Sequence, residues 1–486
     1  MTTIQRRLGD YERYSLARHN IGHAPGVIFT ALVSSVANVE RAIESLLTRE
    51  PLLSSSVHGA RTTEPRYEQH EHIRPDQVWI ARNQLAPSPE QVLLDGIRDM
   101  TDMDISIAPL WRVYTYQKDP ESGLTRVAVA AHHVIGDGSA TRNLFSEFLT
   151  LLRDPAAETL SSAAPVSFPP SLDESIDVRP SKWYLLRTFT SMLVAPRLPA
   201  FLYPASVSPW PSPALASPID KPTGLRIFFL PADLSLALAK TPKTHGVPTL
   251  HPVLIAAAFA AVALVASRTP SSTTLNIVAQ SPVSIRAPEL GHPVLTGNYV
   301  SSIPHSTTAI TPQYLSSTGF WSYCRTFAEY VRRPAVHQEA KEGMGMLAYL
   351  PPGMATPDSQ NRPRTAWEKY LQDRMLTNPN PWQGGSFEVS NVGRMKDSQT
   401  RTSSSESEEF TVRDVCWAQP GSGMGVGMGF NAVSHGGVLA VTLTWRQDAI
   451  ATTQVDAIFQ NFRSILTKVA KGDVSDDTNF ADLTFS

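Results

Sequence analysis

The 486-residue chain is poor in cysteine, with only Cys324 and Cys416. Two thiols cannot build a disulfide framework, and such sparse use fits a reducing compartment. Charge of one sign is also lacking: 42 Lys and Arg stand against 44 Asp and Glu, a formal net charge of −2. That balance argues against a nucleic-acid partner. No apolar run is long enough to cross a bilayer, because the most apolar segment, Val253 to Ala266, falls short of the ~20 residues a spanning helix needs. The opening MTTIQRRLGDYERY is polar and charged, so no secretory signal is expected and the expected location is the cytoplasm. There is no GxSxG elbow; Gly136 to Ala140 has Gly where Ser should stand, which argues against a serine hydrolase. The run GSGMGVGMG, Gly421 to Gly429, does not match GxGxxG and no helix follows, so no dinucleotide site is expected. Its alternating glycines leave one face of a strand bare, open to a ligand or another backbone.

What is present is ample core material, 42% apolar, in a length that calls for two domains or one large pseudo-duplicated unit. The most informative stretch is Thr125 to Leu152. Thr125 to Val134 is small and β-branched, the composition of a strand buried on both faces. Gly136, Asp137 and Gly138 make a turn, and Leu144, Phe145, Phe148, Leu149 and Leu152 then recur at helical spacing, so a helix is expected from Ser139 or Thr141, either of which can cap it. His132 and His133 therefore sit at the end of a buried strand. Successive strand side chains point to opposite faces, so the two cannot share a role. Whichever meets a cavity is a candidate general base. The plainer readings are two hydrogen-bonded core histidines, or a metal site with Asp137, which the opposite facing of the imidazoles argues against; no metal is expected.

His132, His133, Asp137 and Gly138 reproduce the HHxxxDG signature, and here the chain resembles the CoA-dependent acyltransferase superfamily, which includes chloramphenicol acetyltransferase-like enzymes, plant acyltransferases and condensation domains of peptide synthetases. Further phrases resemble its fungal alcohol acetyltransferase branch, Glu50 to Leu53 after an amphipathic helix from Asn38 and VSHGG…LTW near the C-terminus, while Gly297 and Asn298 resemble the "GN" of related acyltransferases and Ser390 to Gly393, SNVG, the S-N-x-G phrase of the superfamily's second site. In that superfamily an arginine after a strand pairs with the aspartate of the turn. The resemblance gives this role to Arg286, and a bidentate pair would pin the turn that aims His133.

Elsewhere, His70, Glu71 and His72 read as surface residues, and His435 as a turn or core residue. Pro155 to Pro222 carries twelve prolines between positions 165 and 222, so it reads as a crossover between halves. Within it, Trp183 to Tyr203 is an apolar and aromatic island that touches a membrane, roofs a substrate channel or packs as linker. A strand from Phe387 to Val389 is expected to end at Ser390 and Asn391, where hydroxyl and amide donors would hold an oxyanion or simply terminate the strand. Lys396 to Glu409 reads as an inserted loop.

The architecture this implies is α/β, with two chloramphenicol acetyltransferase-like subdomains of mixed sheets and helices, 1–160 and 223–486, joined by a crossover over 161–222, and an active-site tunnel at their interface. The resemblance implies His133 as base, Asp137 and Arg286 as structural partners with His132, Gly138 leaving room for the thioester arm, and Ser390, Asn391, Gly297 and Asn298 at the oxyanion or substrate. Acyl-CoA, with acetyl-CoA the expected donor, would be a co-substrate and no cofactor is expected. The acceptor would be a small-molecule alcohol or secondary-metabolite hydroxyl. The chain is expected to act as a monomer, with contact to a membrane or lipid droplet through 183–203. A condensation-type enzyme using a carrier-bound donor, and a non-catalytic binding protein of this fold, are the other readings.

Overall fold

The computed structural model describes residues 5–23, 26–107, 109–154, 167–194, 197, 210, 222–268, 275–287, 295–377, 385–395, 410–421, 425–447 and 450–483. The Lys396 to Glu409 loop and most of the proline-rich crossover lie outside them.

The first half runs β1 (Gln5–Arg7), α1 (Asp10–Asn20), β2 (Gly26–Val33), α2 (Val39–Arg49), β3 (Ser55–His58), β4 (Arg66–Gln69), β5 (Trp79–Leu85), α3 (Pro89–Thr101), β6 (Trp111–Gln117), β7 (Thr125–His132) and α4 (Gly138–Arg153). Short helices α5 (Leu172–Ser175) and α6 (Lys182–Phe189) follow. The second half holds β8 (Thr223–Leu230), α7 (Ala232–Thr244), α8 (His251–Ala266), β9 (Leu275–Ser284), β10 (Val300–Ile310), α9 (Pro312–Ser317), α10 (Phe320–Tyr330) and α11 (Pro334–Gly345). It closes with β11 (Met354–Ala355), β12 (Arg364–Thr365), α12 (Ala366–Thr377), β13 (Gly385–Arg394), β14 (Val412–Ala418), β15 (Val426–His435), β16 (Val438–Arg446) and α13 (Thr452–Lys471).

Two mixed sheets dominate. The first has the order β14-β2-β7-β6-β5, the second β10-β9-β13-β15-β16-β8. The histidine strand β7 is central in the first, antiparallel to β2 and β6, and every one of its residues is buried. That matches its β-branched and small composition. The 223–486 segment does not stay with its own sheet, because β14 crosses to pair antiparallel with β2 as the edge strand of the first. The two halves are therefore tied by backbone hydrogen bonds as well as by side chains.

Each sheet has its own core. In the second, α8 is apolar all round and accordingly buried all round, from Pro252 to Ala266. It begins at His251, after Leu250, so Thr249 is not its cap. Phe259, fully buried, stacks on Tyr323 at 4.8 Å and packs against the rings of Tyr314 and Phe480. The described part of the apolar island is helical over Lys182–Phe189 and Thr190–Val194, and it presents Trp183, 71% exposed, with Leu186, Leu193 and Val194 to solvent.

Phe259→Ala is expected to lower stability by about 3–5 kcal/mol, since it leaves a cavity in a packed core; urea unfolding at neutral pH measures it.

Candidate active site

β7 delivers His132 and His133 to the mouth of a four-residue turn, and α4 starts immediately after it. The cap is Asp137, neither Ser139 nor Thr141. Its Oδ1 accepts the Ser139 and Ala140 N–H groups, both at 2.9 Å. A carboxylate accepting at a helix N-terminus satisfies orphan donors and meets the favourable end of the dipole. Arg286 Nη2 donates to the same Oδ1 at 2.8 Å, and the Tyr299 N–H to Oδ2 at 2.9 Å. The pair is therefore single-pronged, in place of the bidentate fork expected. With Oδ2 taken by the Tyr299 backbone, the second guanidinium arm turns to Ser284 at 3.1 Å. Asp137 and Arg286 are 2% and 3% exposed. Burial pushes the Asp137 carboxyl up, but the Arg286 charge and the N–H donors outweigh it and hold its pKa below 3.8.

The second half braces the turn further. Asn298 Nδ2 donates to the His133 carbonyl at 2.7 Å, Gly297 N–H to the Ile135 carbonyl at 2.5 Å, and Gly136 and Gly297 form a parallel bridge. Gly297 has φ +94°, and a methyl there would lie 2.3 Å from the Tyr299 ring, so only glycine serves. Gly297 and Asn298 were expected at the substrate; the structure sets them against the backbone of the turn. Asn298 is buried with its amide nitrogen committed, which leaves it no surface for a ligand.

His132 is fully buried. Its Nδ1 accepts the Val134 N–H at 3.1 Å, so Nε2 carries the proton toward His19 Nδ1, 3.2 Å away. Burial first, then the neighbouring His19, His133 and Arg18, keep its pKa well below the usual value. It pins the turn. His133 is partly buried, and the Gly136 backbone and the Gln419 side chain lie near enough to its ring to favour its protonated form. Burial and the charge of Arg18 lower its pKa to about 4 despite Asp137 and these bonds. At neutral pH its imidazole is neutral, the form a general base needs.

A cavity of about 160 Å³ is lined by Asp137, Gly138, Ser139, Arg286, Ser390 and Asn391 among others. Gly138 lines this cavity, and a methyl there would rest in ordinary contact, 3.4 Å or more away, against Val392 and Trp417. Ser390 and Asn391 do not end their strand, because β13 runs on to Arg394. Its pairing with β15 shifts register between Asn391 and Arg394, and Asn391 Oδ1 accepts the Gly393 N–H at 2.9 Å. A larger cavity, about 550 Å³, is lined by Tyr11, Leu172, Val178, Met344 and Tyr349 with Asp10, Asp173 and Asp177. His133 lines neither of these two.

The sequence reading missed Arg18, His19, Glu388 and Gln419. The first two lie on α1, whose buried face is short and mixed with charge, so no apolar periodicity marked it as part of the site. Glu388 stood in view between Phe387 and Val389: a lone carboxylate in an apolar strand is the available signal.

No protein-family model matches the chain, and no curated protein matches it in sequence. Solved structures do. TRI3 trichothecene 15-O-acetyltransferase from Fusarium sporotrichioides superposes with a TM-score of 0.65 at 11% identity, over 96% of this chain and 95% of that one. The condensation domain of the monacolin K polyketide synthase MokA gives 0.59 at 13% identity, over 98% and 99%. The epimerization domain from the third module of tyrocidine synthetase B gives 0.57 at 13%, over 98% of each. The chain therefore has the two-subdomain mixed α/β fold that this acetyltransferase and these synthetase domains share.

Asp137→Ala is expected to cost about 3–5 kcal/mol at pH 7, because it strands a buried guanidinium and uncaps α4. Since the folded pKa lies below the unfolded one, this contribution is present above about pH 4 and lost as the pH falls. In urea unfolding the gap between wild type and variant should accordingly be full above about pH 4 and begin to narrow as the pH falls below it.

Proposed function

We propose that this chain is an acyl-CoA-dependent O-acyltransferase that moves an acyl group, acetyl foremost, onto the hydroxyl of a small-molecule alcohol or secondary metabolite. The observation that carries the reading is a neutral histidine, His133, on a turn held by the buried Asp137–Arg286 pair and by the Asn298 amide, in a fold shared with an acetyltransferase. Resemblance of residues 132 to 138 to the HHxxxDG signature supports the same role.

The His133 imidazole removes the proton of the acceptor hydroxyl as its oxygen attacks the thioester carbonyl. The carbonyl oxygen gains the negative charge, and the reading gives the Ser390 hydroxyl, which lines the cavity beside the turn, the role of donor to it. Collapse expels CoA thiolate, which takes the proton from the imidazolium. Asp137 takes no part in proton transfer, being held as an anion by Arg286. Alignment of two substrates and a single base suffices, with no acyl-enzyme. A donor carried on a carrier-protein thioester is the second reading, supported by likeness to a whole condensation domain.

His133→Ala should reduce acceptor-dependent release of thiol from acetyl-CoA by about 10²–10⁴-fold with its thermal midpoint retained. Release that survives the substitution overturns the mechanism. Turnover of a carrier-protein thioester with none of acetyl-CoA selects the second reading.

Peripheral lipid contact through 183–203 belongs to the same proposal, supported by the exposed Trp183, Leu186, Leu193 and Val194. Among the described residues no helix is long and apolar enough to cross a membrane. Binding to anionic phospholipid vesicles in a flotation assay should be lost when Trp183→Ser and Leu186→Ser are combined.

A further inference from the structure

Glu388 is a partly buried acid that the proposed reaction does not use. On β13 its neighbours Phe387 and Val389 are buried in the apolar core beside α8, so alternation turns Glu388 to the opposite face, toward the first half. In register beside it stand Gln280 on β9 and Gly429 on β15. Gly429 is one of the alternating glycines, and its missing side chain leaves the carboxyl uncrowded on that side. Gln419 follows directly on β14, where the chain leaves the first sheet to return to the second. Its Nε2 donates to Glu388 Oε1 at 2.6 Å, and the same side chain lies close enough to the His133 ring to act on its protonation. One amide thus stands between a carboxyl of the second half and the imidazole of the first.

We propose that Glu388 is a positioning residue for His133, acting through the Gln419 amide, whose orientation follows the protonation of the carboxyl and selects which ring nitrogen of His133 carries the proton. A primary amide offers an oxygen and an NH₂ group that exchange places in a half-turn. When Glu388 is ionised, Gln419 must give it the NH₂ and present its oxygen to the His133 ring, which favours an N–H on that nitrogen. The same arrangement steadies the imidazolium formed during proton abstraction. When Glu388 is protonated, its O–H donates to the Gln419 oxygen and the NH₂ faces the ring, which favours a lone pair there and the N–H on the Gly136 carbonyl. No atom other than the Glu388 proton is gained or lost.

The switch falls in the neutral range. Burial raises the Glu388 pKa to about 7, against the Gln419 bond and the Arg18 charge. Around the pair stand Arg18 and Tyr11 from α1, Gln280 from β9, and His133 with Asp137 from the turn. Asp137 stays ionised and His133 neutral across this range, with burial keeping the Tyr11 hydroxyl protonated, so the step belongs to Glu388.

The inference deepens the reading of His133 as base, but its test needs no substrate and so stands or falls apart from that reading. The full chain, labelled with ¹⁵N-histidine, is titrated from pH 5.5 to 8.5, and the His133 ring signals are assigned by their loss in His133→Gln. The expected result is a step near pH 7 in which the two ring nitrogens shift in opposite directions, the mark of a tautomer change. It should vanish in Glu388→Gln, which keeps the volume, and in Gln419→Met, which keeps the acid but cuts the bridge. Absence of the step in wild type overturns the proposal without any variant. A step that survives Glu388→Gln assigns the titration elsewhere, one that survives only Gln419→Met removes the amide from the path, and either result overturns it.

Discussion

The architecture of the site hangs on one buried carboxylate. Asp137 accepts two N–H groups from the start of α4, a third from Tyr299 and a guanidinium nitrogen from Arg286, so four donors converge on two oxygens. Two of those donors belong to the first half and two to the second. A buried ion pair is weak evidence of stability as such, because desolvation offsets much of the attraction. Its consequence here is geometric. The turn after β7 can take only the shape in which the helix N-terminus, the β9–β10 connection and the histidine meet at one point, and Asn298 then grips the His133 carbonyl itself.

Around this point the protein keeps its imidazoles uncharged. His19, His132 and His133 lie close together beneath α1, and burial lowers all three pKa values, with the charges of Arg61 near His19 and Arg18 near His132 and His133 adding to it. A neutral cluster can be packed without counter-ions, with His132 fully buried and His19 and His133 partly so. The second sheet answers with a polar face: Glu388 and Ser390 on β13, Asn431 on β15, Thr442 and Thr444 on β16 all turn away from the apolar core that Phe387, Val389 and Phe430 enter. The Asn431 amide donates to both threonine hydroxyls. Two sheets of one fold thus meet across polar side chains.

Much of this was legible in the residues. The run from Thr125 to Val134 reads as a buried strand because its composition is uniform and β-branched, and α8 reads as a buried helix because it is apolar on every side. Resemblance located the turn and pointed to Arg286. Other features stayed hidden for physical reasons. Asp137 as the cap of α4 was passed over for Ser139 and Thr141, since all three are good caps and only backbone geometry chooses between them. Ser390 and Asn391 read as a strand end because they are turn formers, whereas pairing with β15 carries the strand past them. Gly297 and Asn298 read as ligand residues because small and amide residues serve ligands and backbone equally well.

The sequence by itself determined the period of each strand and helix, the apolar faces that must be buried, and the presence of two histidines, a carboxylate and two glycines within one turn. Those properties are local, set by side-chain volume, branching and polarity along a few residues. Tertiary structure decided the partners. That β14 leaves its own half to edge the other sheet, that Arg18 and His19 of α1 lie beside a strand more than a hundred residues away, and that Gln419 stands between His133 and Glu388 are outcomes of how two sheets pack. Contacts between residues hundreds of positions apart leave no periodic mark on the chain, because each partner satisfies its local pattern whether or not the other is there.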